Sequence, residues 1–178
     1  MMDLKGDRVS IRPFTAADAQ AYLALAQDPL VAGPAGMRPI ANLEEAKSHV
    51  LKNQTTEFAL VVQGAVVGEL GIYPRTADAA APEAHTREIG YALAQAYWGQ
   101  GLMREALLLV IRELFTQQMT ALWAATFPDN QRSIALLARL GFQYRFTVPL
   151  PASLQPAGPR SEAYFELVNP TLVLDDVD

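Results

Sequence analysis

Glu88-Ile89-Gly90-Tyr91-Ala92-Leu93, followed by Tyr97-Trp98-Gly99-Gln100-Gly101-Leu102-Met103-Arg104-Glu105-Ala106, is the stretch on which the fold turns. Residues 87–93 read as a strand. Alternation puts Glu88, Gly90 and Ala92 on one face and Ile89, Tyr91 and Leu93 on the other. From Leu102 the apolar residues fall at 102, 103, 106, 107, 110, 111, 114 and 115, a helical stripe. The loop between them carries glycines at 99 and 101, which permit positive φ and close backbone approach. The helix points unpaired N–H groups and the positive end of its dipole at that loop. Proteins hold pyrophosphates in this way. On these residues alone an anion site and a plain tight turn both stay open. A dinucleotide fingerprint fails because Arg104 stands where its third glycine would be, and no Gly-Lys-Ser/Thr follows to make a P-loop.

Working outward, Val9-Ser10-Ile11 reads as a short strand, and Thr15 starts a helix with Asp18 three residues on as a capping-box variant. Pro29, Gly33, Pro34 and Gly36 predict a loop. Asn42 caps a second helix, with Glu45 at its third position. Two apolar runs, 57–62 and 66–73, flank Gln63-Gly64 and predict a hairpin. Residues 74–86, rich in Ala and Pro, and 149–159, with four prolines, read as loops. Residues 121–127 are a buried strand, and 130–140 a helix ending at Gly141. Phe142 onward and 162–168 supply the last strands. The order β-α-α-β-β-β-α-β-α-β-β implies an α/β (α+β) protein, a mixed sheet with helices on both faces. No internal repeat or linker is visible, so residues 1–178 are expected to form one domain.

Composition narrows the function. The net charge of −5 argues against nucleic acid as the main ligand. The absence of cysteine excludes disulfides, thiolate nucleophiles and Cys-ligated zinc. His49 and His85 alone do not suggest a metal site, so no metal is expected. Met1 to Arg8 lacks the apolar core of a signal peptide, and no apolar run nears the ~18 residues of a membrane span. A cytoplasmic protein that meets neither membrane nor nucleic acid is the expectation.

A second stretch runs Phe127-Pro128-Asp129-Asn130-Gln131-Arg132-Ser133, on to Leu140-Gly141-Phe142. Alone it is an Asn-capped helix with a serine one turn in. Taken together, Tyr97-Trp98-Gly99-Gln100-Gly101, Glu105-Ala106, Asn130-Gln131-Arg132-Ser133 and Leu140-Gly141-Phe142 resemble the GNAT acetyltransferases, particularly the branch that includes ribosomal-protein N-terminal (Rim-type) acetyltransferases. Ile11-Arg12-Pro13-Phe14 is similar to that family's first strand, and the resemblance runs from about Arg8 to Val168.

The resemblance implies a mostly antiparallel sheet of about seven strands, splayed between the fourth and fifth, with about four helices. It implies acetyl-CoA as cosubstrate. Trp98, Gly99, Gln100, Gly101, Leu102, Met103 and Arg104 would hold the CoA pyrophosphate, Tyr91 and Leu93 would bond the pantetheine arm through their backbone, and Asn130 would contact that arm. Met103 is bulkier than the Gly or Ala usual there and is expected to narrow the loop. A tyrosine acid often stands seven residues after the Asn. Leu137 occupies that position, which makes Ser133 the candidate acid, and Glu88 is the candidate base. Glu88 could instead form a salt bridge with Arg87 or Arg75, and Glu69 is the alternative base. His85 reads as solvated, Tyr97 and Trp98 as packed beneath the loop, and Tyr164 as lining the acceptor side. Acetyl transfer to the primary amine of a protein N-terminus or small molecule, by direct attack in a ternary complex, is the function implied. The alternative is a non-catalytic acyl-CoA-binding module of the same fold. Oligomeric state stays open, a homodimer being one option.

Overall fold

The computed structural model describes residues 2–75, 85–151 and 160–171. Among the described residues, eight strands are hydrogen-bonded in the order β1-β2-β3-β4-β5-β6-β8-β7, accompanied by five α-helices. The strands are β1 (Leu4–Lys5), β2 (Ser10–Pro13), β3 (Glu57–Val62), β4 (Ala65–Pro74), β5 (Thr86–Leu93), β6 (Ala121–Thr126), β7 (Gln143–Pro149) and β8 (Ser161–Val168). The helices are α1 (Ala19–Gln27), α2 (Pro29–Ala35), α3 (Leu43–Lys52), α4 (Leu102–Thr116) and α5 (Gln131–Arg139). The eighth strand is the two-residue β1, too short to show a period. It moves the expected break from the fourth and fifth strands to β5 and β6. There the parallel pairing is limited to Thr86–Ala121, Arg87–Leu122 and Glu88–Trp123. The pairings β1–β2, β2–β3, β3–β4, β6–β8 and β7–β8 are antiparallel.

The chain forms two compact units. The first comprises Met1–Ile72 and Gly90–Glu113. Thr15 begins its helical run as a capping box: Asp18 accepts from the Thr15 backbone N–H (2.7 Å) and hydroxyl (2.8 Å) and pairs with Arg12. Asn42 caps α3 through Glu45 N–H at 3.0 Å. Gln63 (φ 49°) and Gly64 (φ 83°) turn the β3–β4 hairpin, and two successive positive φ values match the right-handed twist of its strands.

The loop expected around residue 30 is instead α2. Asp28 caps it by accepting from Leu30 N–H at 3.0 Å, Pro29 takes the first turn, and Gly36 ends it at φ 65°. Pro and Gly break helix interiors, but at these two positions they mark a helix's start and end. Pro34 removes a single late bond from a helix already closing.

Phe14, Tyr22, Ala26, Ala46, Val50 and Ala59 form one core cluster, and Leu25, Val31 and Ala92 another. Ala59 and Leu60 are neighbours on β3, so they face opposite ways, yet both are wholly buried: both faces of this part of the sheet are covered. Gly68 lies so close to β5 that a Cβ would collide with the Ala92 carbonyl oxygen.

The second unit comprises Tyr73–Ile89 and Leu114–Asp178. β6 is buried from Ala121 to Ala124, and α5 packs on it. Gly141, at φ 90°, closes α5 while Phe142 N–H returns to the Leu137 carbonyl at 3.0 Å, the termination expected of that glycine. β7 pairs only with β8, through a register shift between Tyr144 and Phe146. Among the described residues no helix is long and apolar enough to cross a membrane.

Candidate active site

In the first unit the glycine loop adopts the geometry its sequence suggested. Gly99 (φ 74°) and Gly101 (φ 77°) both sit in the left-handed region, closed to most side chains. A Cβ on Gly99 would meet nothing within 4 Å, so the loop backbone is open on that side. The loop runs directly into α4, whose first N–H groups lack intrahelical partners.

The side chains around it take separate parts. Leu102 and Met103 are buried in the core at 3 % and 7 % exposure. Met103 therefore does not narrow the loop: its bulk points inward, and only its backbone is available to a ligand. Arg104 is exposed. The Gln100 side chain turns back to the Ala96 carbonyl at 3.0 Å. Trp98 is half-buried against Leu25, Val31 and Ala92, and its indole N–H donates to the Leu93 carbonyl at 2.7 Å. That carbonyl is thus engaged within the protein, while Tyr91 and Leu93 are both half-buried.

Glu69, the alternative base, is in the same unit on β4. It is 9 % exposed and, among the described residues, its buried Oε2 has no hydrogen-bond partner. Burial and, secondarily, the Glu57 carboxylate push it up to about 8.

In the second unit the strand register assembles a different cluster. Glu88 is level with Trp123 on β6, and Ala125 two residues on pairs with Tyr164 of β8, which pairs in turn with Phe146 of β7. These side chains share one face. Phe146 stacks on Tyr164 (5.3 Å between ring centroids) and packs beside Trp123 (5.9 Å). The Tyr164 hydroxyl donates to Glu162 at 3.2 Å. Arg75 lies over the Trp123 ring, 3.7 Å from its centroid.

Glu88 is half-buried and makes no ion pair among the described residues, so the salt-bridge alternative with Arg75 or Arg87 is not what forms. Its carboxyl is raised by burial and by Glu162, with Arg75 opposing. Tyr164 is pushed up to about 12 by burial and then by Glu88 and Glu162. The phenol is therefore a firm donor at neutral pH. Of the residues named from sequence, Glu88 and Tyr164 lie on this face. Glu162 and Phe146 carry no local signal, because only the pairing of distant strands brings them to this face.

Also in this unit, Asn130 caps α5, its Oδ1 accepting from Ser133 N–H at 3.2 Å. Ser133 is buried at 9 % exposure rather than solvated. His85 is exposed, and its carbonyl accepts from Thr120. Among the described residues, no group of three or more His, Cys, Asp or Glu could hold a metal.

Residues 8–143 match the model of the acetyltransferase (GNAT) domain. A segment of 60 residues is 45 % identical to the [ribosomal protein uS5]-alanine N-acetyltransferase of Escherichia coli (strain K12), covering 33 % of this chain and 31 % of that protein. The crystal structure of a GNAT-family acetyltransferase from Bacillus anthracis superposes with a TM-score of 0.82 at 20 % identity, over 94 % of this chain and 99 % of that one. RimJ of Mycobacterium smegmatis, solved in complex with CoA-disulfide, gives 0.72 at 22 % identity, over 92 % and 83 % of the respective chains.

Proposed function

The chain belongs to the GNAT acetyltransferase family, and on that premise we propose that it transfers the acetyl group of acetyl-CoA to a primary amine, acting as one catalytic domain. The acceptor is the amine of a protein N-terminus or of a small molecule. The likeness to a ribosomal-protein alanine acetyltransferase supports a protein amine among these.

The observation that carries the reading is the left-handed Gly99–Gly101 loop opening into α4. Its open backbone and the helix dipole suit a pyrophosphate. Leu102 and Met103 would contribute backbone N–H groups only, Trp98 would fix the loop on β5, and Asn130 would meet the pantetheine arm.

Acetyl-CoA supplies a thioester whose carbonyl carbon an uncharged amine can attack. The protein's part is proton handling. Glu88, raised above the ordinary carboxylate range, takes the proton from the acceptor nitrogen, directly or through a water, so that the C–N bond can form and persist. Glu162 and the Tyr164 hydroxyl hold the acceptor side of that carboxylate polar, while Trp123 and Phe146 wall it with aromatic surface. As the C–S bond breaks, Ser133 gives a proton to the departing sulfur. Glu69 is the poorer base, since a buried carboxyl held largely protonated at neutral pH has little capacity left.

The test is direct. Acetyl-CoA should raise the melting temperature by mass action and NAD should not; at a hundredfold excess over Kd the gain is about 2.7 kcal/mol. Gly101→Glu, which places bulk and negative charge at the loop, should abolish that shift. Free thiol should appear when a panel of amines is added. A non-catalytic binding module would show the thermal shift and release no thiol.

A further inference from the structure

The N-terminal turn of α4 carries a contradiction if it is to hold an anion: Glu105 sits in it, where its charge opposes the helix dipole's attraction for phosphate. The structure answers with Arg8. Its backbone N–H donates to Glu105 Oε1 at 2.8 Å and its Nε to Glu105 Oε2 at 2.8 Å, so both carboxylate oxygens are engaged by one residue. Its Nη1 donates to the carbonyl of Gln100, the residue between the two left-handed glycines, at 2.9 Å. Its Nη2 lies 3.6 Å from where a Cβ on Gly101 would stand.

We propose that Arg8 is the positioning residue of the donor loop, cancelling the Glu105 charge, fixing the Gln100 carbonyl and leaving Nη2 facing an anion bound at Gly101. The proposal rests on the reading of the Gly99–Gly101 loop as the CoA pyrophosphate site. The planar guanidinium is suited to all three tasks at once, which a lysine ammonium is not. Glu105 is held below the usual carboxylate range by the Arg8 contacts, so the pair is a fixed ion pair at neutral pH rather than a neutral hydrogen bond. The first strands are thereby coupled to the donor loop through a residue more than ninety positions away in sequence.

The experiment measures the Kd for CoA by calorimetry, together with acetyl-CoA KM and kcat, for wild type, Arg8→Gln, Glu105→Gln and the double variant. Arg8→Gln should weaken CoA binding about tenfold, a loss of ~1.4 kcal/mol, and raise KM in step while kcat at saturation stays within about twofold. Adding Glu105→Gln should recover part of the affinity, because the bare carboxylate is then gone, while the lost Gln100 and Nη2 contacts keep it below wild type. Raising ionic strength should narrow the Arg8→Gln defect by screening the same repulsion. An Arg8→Gln protein that binds CoA like wild type overturns the proposal, as does a double variant no better than Arg8→Gln. Should Arg8→Gln not fold, Arg8→Lys, which keeps the charge and loses the planar fork, should still weaken CoA binding, and wild-type affinity in Arg8→Lys overturns the proposal. Wild type without affinity for CoA would instead overturn the donor-site reading itself.

Discussion

The Trp98 indole N–H donates to the Leu93 carbonyl at 2.7 Å, so the glycine loop is tied back to the strand before it. The ring also packs against Leu25, Val31 and Ala92. Trp98→Phe keeps most of that packing and removes the bond. The expected cost is about 0.5–1.5 kcal/mol, or a melting temperature lower by ~2–4 °C per kcal/mol for a chain of this size. Acetyl-CoA KM should rise more than kcat falls, since the loop is loosened and the proton-transfer groups are untouched. Thermal melts and steady-state kinetics check this; an unchanged KM would mean that the loop needs no anchor.

Much of this arrangement was legible in the sequence because it is local. The glycines at 99 and 101, the Asn130 cap and the terminating Gly141 each act within a few residues of themselves. Periodicity therefore identified their elements and their φ requirements. The acidic-aromatic cluster was not legible. Glu162 and Phe146 reach the neighbourhood of Glu88 only through the registers of β6, β7 and β8, which no short window of sequence contains. Met103 failed for a related reason: its volume was visible, but not that the helix turns it into the core. Around residue 30, the positions of Pro and Gly relative to Asp28, rather than their residue types, decide the outcome.

Asn130 separates a cap from a ligand contact. Its Oδ1 already serves Ser133 N–H, so Asn130→Ala must cost helix stability, about 0.5–2 kcal/mol. If the side chain also serves the pantetheine arm, CoA affinity per folded molecule should fall as well. Denaturant titration beside calorimetric CoA binding distinguishes the two. Normal affinity on a destabilised fold would leave Asn130 as a cap alone.

Glu69 predicts a stability that declines with alkalinity. Its carboxyl is raised from 4.5 in the unfolded chain to about 8 in the fold. The folded state therefore holds a proton that the unfolded state releases. Stability from this group is full below about 4.5, declines as pH rises, and is lost on passing through about 8. Above that, a buried carboxylate without a partner for Oε2 faces Glu57, itself bonded to His49 at 2.6 Å. Glu69→Gln should flatten the decline and leave the variant more stable than wild type at pH ~9 by an amount on the order of a few kcal/mol. Urea unfolding at several pH values measures it, and parallel curves for the two proteins would reject it.

Glu88, the proposed base, makes the sharpest prediction, because its neighbours Glu162 and Arg75 have opposite charge. Glu88→Gln preserves shape and removes proton acceptance, so turnover should fall about 10²–10⁴-fold with acetyl-CoA affinity intact. High pH should partly restore it by supplying amine already deprotonated. In wild type the acid limb of kcat/KM should lie above the ordinary carboxylate range, since burial and Glu162 raise the Glu88 carboxyl. Glu162→Gln removes a like charge and should move that limb to lower pH. Arg75→Gln removes the opposing cation and should move it to higher pH. A structural role for either residue would lower the whole profile without displacing it. The measurement is kcat/KM against pH for wild type and the three variants with one accepted amine. Limbs that stay fixed in both neighbour variants, with Glu88→Gln within a few fold of wild type at neutral pH, would remove Glu88 from the mechanism and return Glu69 to consideration.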